Sequence, residues 1–206
     1  GITRGVHLAG DVMYDVTLHY RDLARSRSDI LSRLGLAERG FALATCHRAG
    51  NTDDPQRLAN IVTALARIAA RFPVVLPLHP RTRKQLEKFD LLGNLGEILV
   101  TEPLSFLDMV ALEQAARVIL TDSGGVQKEA FFHRVPCVTM RDETEWVETV
   151  RAGANLLAGT SVSAIVDAFD RAMSAPLVLE GVNPYGDGDA AGRMIALLFN
   201  SASGQT

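Results

Sequence analysis

The stretch Thr121-Asp122-Ser123-Gly124-Gly125-Val126-Gln127-Lys128-Glu129 joins an apolar run, Val118-Ile119-Leu120, to a segment in which Val126, Ala130 and His133 share one side of a helix. A helix entered through two glycines presents backbone N–H groups that lack an intrahelical acceptor and carry partial positive charge. An anion fits there. Gly124 and Gly125 permit close approach, Ser123 adds a hydroxyl, and Glu129, one turn on, is an acceptor for a ribose diol. The set suits a nucleotide. A cap by Asp122 or Ser123 followed by a tight turn is the competing reading of the same residues.

Three further polar clusters each follow an apolar run. Phe41–Thr45 leads into Cys46-His47-Arg48-Ala49-Gly50-Asn51-Thr52-Asp53-Asp54. His47 is a candidate to move a proton or to bond a departing phosphate, and Arg48 to hold an anion with its planar fork. A locally bonded histidine beside a solvated arginine is the alternative. Val74–Leu78 leads into His79-Pro80-Arg81-Thr82-Arg83-Lys84, the most basic window of the chain. It could meet a pyrophosphate or a base edge, with His79 the residue singled out, or it could be a charged helix start in water. Pro136–Met140 leads into Arg141-Asp142-Glu143-Thr144-Glu145-Trp146, where Arg141 is placed to face a phosphate. The acids there also suit a helix start. Trp146, the one tryptophan, reads as packing, with stacking on a ligand as the other option.

The elements that must position these clusters alternate. After a strand candidate at Val6–Ala9, helices are expected from Asp11 to Ala24 and just after Asp29. Strands at 41–45, 74–78, 98–100, 118–120, 136–140 and 155–158 then alternate with helices at 54–72, 82–89, 105–116, 124–133, 144–152 and 161–174. A last helix covers 190–200. Asp54-Pro55 is a helix start, and Ser105 with Asp108 reads as a capping box. Nearly all-apolar strands separated by helices specify a parallel sheet covered on both faces. Right-handed crossovers make it a doubly wound, Rossmann-like domain of the α/β class, whose ligands sit beyond the carboxyl ends of the strands. All four clusters lie at such ends.

The chain has 206 residues, 47% of them hydrophobic, and a net charge of -3, which allows one sizeable core and argues against a nucleic-acid-tracking surface. Its two cysteines, Cys46 and Cys137, sit beside apolar runs and suit reduced thiols of a cytoplasmic protein. No apolar run reaches the roughly 18 residues of a membrane span, and no signal segment opens the chain. Zinc-ligand spacing, a Walker-type lysine loop and a Gly-x-Ser-x-Gly elbow are all missing. Gly186-Asp187-Gly188 follows no strand. Nothing asks for a metal, NAD or flavin, so no cofactor is expected. Gly1-Ile2-Thr3-Arg4-Gly5 opens without an initiator methionine in a strand-like region, so a piece of a larger protein is expected.

In order along the chain, Gly10–Asp15, Thr45–Arg48, Pro77–Pro80, Thr121–Glu129, Met140–Glu145 and Asn183–Gly188 resemble the non-hydrolysing UDP-N-acetylglucosamine 2-epimerase family. The resemblance implies one half, the carboxyl-terminal, of a two-domain fold arranged like B-type glycosyltransferases. Residues 1–30 would join a missing amino-terminal domain, 31–182 form the UDP-binding domain, and 183–206 supply a final helix and tail. It implies UDP phosphates at Ser123, Gly124 and Gly125, ribose at Glu129, and His47 in the active-site cleft as the catalytic candidate, with Arg48, His79 and Arg141 around the UDP. The implied reaction inverts C2 of a UDP-2-acetamido sugar by elimination and re-addition of UDP. The fragment alone is expected to be inactive, and the full-length protein a homodimer. Gly50 and Trp146 depart from the common pattern, and Thr144-Glu145-Trp146 looks closer to the branch acting on UDP-2,3-diacetamido-2,3-dideoxyglucuronate. A donor-binding domain of a UDP-sugar glycosyltransferase and a non-catalytic UDP-binding module are the rival expectations.

Overall fold

The structure, a computed structural model, describes residues 1–3, 5–174 and 176–203. Its centre is the strand Ala42–Thr45 (β1), buried at every position. Odd and even residues of the strands face opposite ways, as a pleat of period two requires. Phe41, Leu43, Val75, Ile119 and Cys137 pack in one core cluster, while Ala42, Ala44, Val74, Leu76, Val118, Leu120 and Val138 pack in another. Both faces are therefore buried.

The remaining strands are Val74–Pro77 (β2), Leu99–Thr101 (β3), Val118–Thr121 (β4), Cys137–Thr139 (β5) and Asn155–Leu157 (β6). They form one sheet in the order β3-β2-β1-β4-β5-β6, and every pairing is parallel. In this doubly wound order the connections leave β1 and β4 in opposite directions, which opens a crevice between their carboxyl ends. Ala42 pairs with Val118 and Thr45 with Thr121 across that junction.

The helices are Val12–Arg27 (α1), Ile30–Arg33 (α2), Ala49–Thr52 (α3), Pro55–Ala69 (α4), Pro80–Lys88 (α5), Phe106–Ala115 (α6), Gly124–Phe132 (α7), Val147–Arg151 (α8), Val162–Ser174 (α9) and Ala190–Ser203 (α10). Their starts follow local chemistry. Asp11 accepts from Met13 N, Asp54 from Gln56 N and Arg57 N, and Ser105 from Asp108 N, each satisfying an otherwise orphan first-turn donor. In α4, Leu58, Ile61, Leu65 and Ile68 are buried along one stripe, each contributing about 1.5–3 kcal/mol by leaving water. α6 lies on the opposite face of the sheet, and α1 packs against it.

Three expectations change. Val6–Ala9 is not a strand: Val6 and Leu8 are exposed, and among the described residues no strand pairs with them. The helix expected from Thr82 starts at Pro80, because His79 is its cap. The helix expected from Thr144 starts at Val147, since the Thr144 side chain is drawn into a buried network instead. Residues 204–206 of the expected tail lie outside the described residues. Among those described, no helix is long and apolar enough to cross a membrane.

Candidate functional site

β1 and β4 end side by side, and their last residues set the floor of the site. Thr45 Oγ1 and Thr121 Oγ1 are 2.6 Å apart, and Thr121 Oγ1 also accepts the Ser123 N–H at 2.9 Å. Asp122, fully buried, turns its carboxylate across to the loop after β1. It accepts His47 N at 3.0 Å, Arg48 N at 3.0 Å and Asn51 Nδ2 at 3.1 Å. Asn51 Nδ2 also donates to the Met140 carbonyl at 2.9 Å, so one amide joins the ends of β1, β4 and β5. These bonds fold the loop after β1 into the short α3 and carry His47 and Arg48, just before it, to the mouth of the crevice.

The turn into α7 is open. Ser123 is its extended N-cap, and its Oγ accepts from Val126 N at 3.4 Å, so the capping reading of Ser123 holds geometrically. Among the described residues, neither Gly124 N–H nor Gly125 N–H has a protein acceptor. A Cβ at Gly124 would lie 3.3 Å from Trp146 Nε1 and 3.7 Å from Glu145 Oε2. The glycine is what leaves this space free.

Arg48 and Arg141 both reach Glu145, the carboxylate beside Gly124. Arg141 grips it with Nη1 at 2.9 Å and Nη2 at 3.0 Å, while Arg48 Nη1 stands at 3.4 Å. The Arg141 hydrogen bond above all, with a backbone bond and both cations, draws the Glu145 carboxyl down to about 2. Arg48 and Arg141 also line a cleft of about 490 Å³ with Gly50, Asn51, Arg57 and Glu143. Two guanidiniums and a helix start thus converge on one anionic side chain at the sheet's carboxyl edge.

The other expected residues fall as follows. His47 is half-buried with its ring 5.5 Å from that of His79, and the two histidines share the rim. His79 Nδ1 accepts from Arg81 N at 3.1 Å, which leaves the proton on Nε2 and that nitrogen free to donate. The neighbouring arginines are paired off, Arg81 with Asp53 at 2.6 Å and Arg83 with Glu102 at 2.5 Å. Glu129, one turn into α7, has no side-chain hydrogen bond or ion pair among the described residues, and burial raises its pKa against the lowering effect of Lys128. Cys46 and Cys137 are free and buried; burial pushes the Cys137 thiol up to about 12 and Cys46 well upward. Neither is a thiolate nucleophile.

Three residues of the site escaped the sequence reading: Asp122 as the clamp on the β1 loop, Asn51 as the strand-end bridge, and Glu145 as the shared carboxylate. The one available signal was the order Asp-Ser-Gly-Gly, in which serine suffices as cap and leaves the buried aspartate free for another task.

A family model described as UDP-N-acetylglucosamine 2-epimerase matches residues 2–199. The chain belongs to this family. A UDP-2,3-diacetamido-2,3-dideoxy-D-glucuronate 2-epimerase of Pseudomonas aeruginosa is 48% identical over 191 residues, covering 92% of this chain and 51% of the relative. A UDP-N-acetylglucosamine 2-epimerase homolog of Methanococcus maripaludis is 41% identical, covering 97% and 56%. The crystal structure of the Methanocaldococcus jannaschii UDP-GlcNAc 2-epimerase in complex with UDP-GlcNAc and UDP superposes with a TM-score of 0.87 at 34% identity, covering 97% of this chain and 56% of that one. The chain spans about half the length of the curated relatives it matches. A trehalose-phosphate synthase from Burkholderia xenovorans, at 12% identity and a TM-score of 0.57, shares the fold alone with this 2-epimerase-family chain.

Proposed function

We propose that the carboxyl edge of the sheet binds UDP, and that the full-length protein inverts C2 of a UDP-2-acetamido sugar. The observation that carries this reading is the pair of N–H groups at Gly124 and Gly125 that have no protein acceptor among the described residues, beside the Glu145 carboxylate that Arg48 and Arg141 both reach. The diphosphate would lie on that turn with Ser123 beside it, the ribose would reach Glu129, and His47 and His79 would line the sugar-side rim. Membership of the 2-epimerase family and the UDP complex of the Methanocaldococcus relative support the assignment.

In the proposed reaction a base removes the C2 proton, its electron pair forms the C1–C2 double bond, and the C1–O bond breaks to release UDP. UDP then returns to C1 while C2 is reprotonated from the other face. Charge grows on the leaving diphosphate, so the helix start and the two arginines would stabilise the transition state more than the bound substrate. Proton transfer at C2 is assigned to His47 together with acidic groups expected in the half of the relatives that this chain does not span. The 206 residues alone are therefore expected to bind UDP without epimerising, and the full-length protein to act as a cytoplasmic homodimer. The identity to the Pseudomonas relative favours the 2,3-diacetamido uronate as the sugar.

Titration calorimetry of the chain with UDP tests the binding claim: saturable one-to-one binding is expected, and none at millimolar UDP overturns it. The full-length protein, given either UDP-GlcNAc or its 2,3-diacetamido uronate relative without an acceptor, is expected to yield the C2 epimer. Transfer to an acceptor with no epimer overturns the reaction.

A further inference from the structure

Trp146 is held by its ring and by its backbone, but not at its one polar atom. Its ring lies over Lys128 Nζ, 4.4 Å from the ring centroid, and edge-on to Tyr185 at 6.4 Å. Lys128 is itself buried and paired with Asp11, so the cation beneath the indole cannot swing away. The Trp146 backbone is held as well. Its N–H donates to Thr144 Oγ1 at 3.1 Å, and its carbonyl accepts Thr149 Oγ1 at 2.7 Å. Thr144 in turn donates to buried Gln127 at 2.5 Å, which also accepts from Asn155 at 3.2 Å. Packing and hydrogen bonds on this scale lock a side chain in one rotamer.

The indole Nε1–H, by contrast, is buried and has no acceptor among the described residues. A buried donor left unpaired costs about 1–3 kcal/mol, so such an atom calls for a partner. It stands beside the space kept open at Gly124, next to the free N–H groups of Gly124 and Gly125. We propose that Trp146 Nε1–H donates to the anion seated on the α7 turn, as a third donor beside those two N–H groups, and so reads the diphosphate of the bound nucleotide. This rests on the nucleotide reading above. Trp146 acts here as a recognition residue, and Lys128 beneath it as the charge that holds the ring and adds to the positive field.

Trp146 is the sole tryptophan of the chain, which makes the test direct. Its fluorescence is expected to change saturably on titration with UDP and to respond far less to uridine at equal occupancy. Trp146→Phe keeps a ring over Lys128 and removes the donor. UDP affinity is expected to fall about tenfold or more, the effect of losing a hydrogen bond to a charged group, while uridine affinity and melting temperature hold. Wild-type chain that binds no UDP overturns the nucleotide reading and this inference together. Wild-type chain that binds UDP without a fluorescence change overturns the inference alone, as does Trp146→Phe that binds UDP equally well or loses uridine and UDP alike.

Discussion

The Asp122 carboxylate accepts the His47 backbone N–H at 3.0 Å, across the junction where the chain crosses between the two halves of the sheet. It takes Arg48 N and Asn51 Nδ2 as well, so one buried carboxylate sets the path of the whole loop after β1. Asp122→Asn keeps the shape but replaces one acceptor oxygen with a donor facing N–H groups. Unfolding in urea is expected to show a loss of about 1–3 kcal/mol, the cost of leaving buried polar groups unpaired. UDP binding is expected to weaken alongside it, because Arg48 moves with the loop. An unchanged urea midpoint would show that the loop is held by other contacts.

Gly124 separates binding from stability in the opposite way. Alanine is favoured over glycine in a helix by about 1 kcal/mol, so Gly124→Ala costs α7 nothing in intrinsic preference. Its Cβ, however, would stand 3.3 Å from Trp146 Nε1, in the space assigned to the anion. The melting temperature is expected to hold while UDP affinity drops at least tenfold in titration calorimetry. Loss of the fold in this variant would mean that the glycines serve the turn and not a ligand.

Glu145 bridges Arg48 and Arg141 where the diphosphate is expected, and so competes with it. Glu145→Gln is expected to tighten UDP binding by up to about fivefold, the equivalent of ~1 kcal/mol for an exposed ion pair. The pH dependence has a definite sign. The Glu145 carboxyl is depressed from 4.5 to about 2, so its contribution is complete above pH 4.5 and is lost as pH falls through about 2. The gain from Glu145→Gln is therefore expected to be constant between pH 5 and 8. A weaker UDP affinity in the variant would show that Glu145 aligns the arginines instead of competing for them.

The strands and most helices were legible because each carries a local signal: two-sided apolar runs such as Val118–Leu120, and caps such as Asp54 before Pro55. Val6–Ala9 misled because an apolar run specifies burial only where a neighbour exists to cover it. The four-residue α3 has no such signal, since Asp122 organises it from across the sheet. The clusters at the strand ends were visible in the chain, but their pairing was not. That Arg48 and Arg141 would share Glu145 follows from β4 and β5 lying in succession beside β1, and strand order is set by the packing of the whole sheet. Lys128 shows the same limit: a lysine at this place reads as surface, yet Asp11 and three aromatic rings enclose it.

His133 governs acid stability from the far end of α7. It is buried, neither ring nitrogen has a hydrogen-bond partner among the described residues, and Glu113 Oε2 stands 3.9 Å from Nε2. Burial first, then Arg21, Arg25 and Arg39, lower its pKa from 6.5 to about 4, so the ring is neutral at pH 7 and makes no ion pair with Glu113. A native pKa below the unfolded one means that the unfolded chain binds the extra proton between pH 6.5 and 4. Native stability attributable to His133 is then complete above pH 6.5 and is lost as pH falls through about 4. The shift corresponds to about 3 kcal/mol. His133→Gln removes this dependence while keeping a polar side chain of similar reach. Glu113, which burial pushes upward, faces the ring, so Glu113→Gln is the control that measures its own share. Urea unfolding at pH 7 and pH 4 is expected to cost the wild type about 3 kcal/mol more than the variant between the two conditions. Parallel losses would place the acid sensitivity in the carboxylates and not in this histidine.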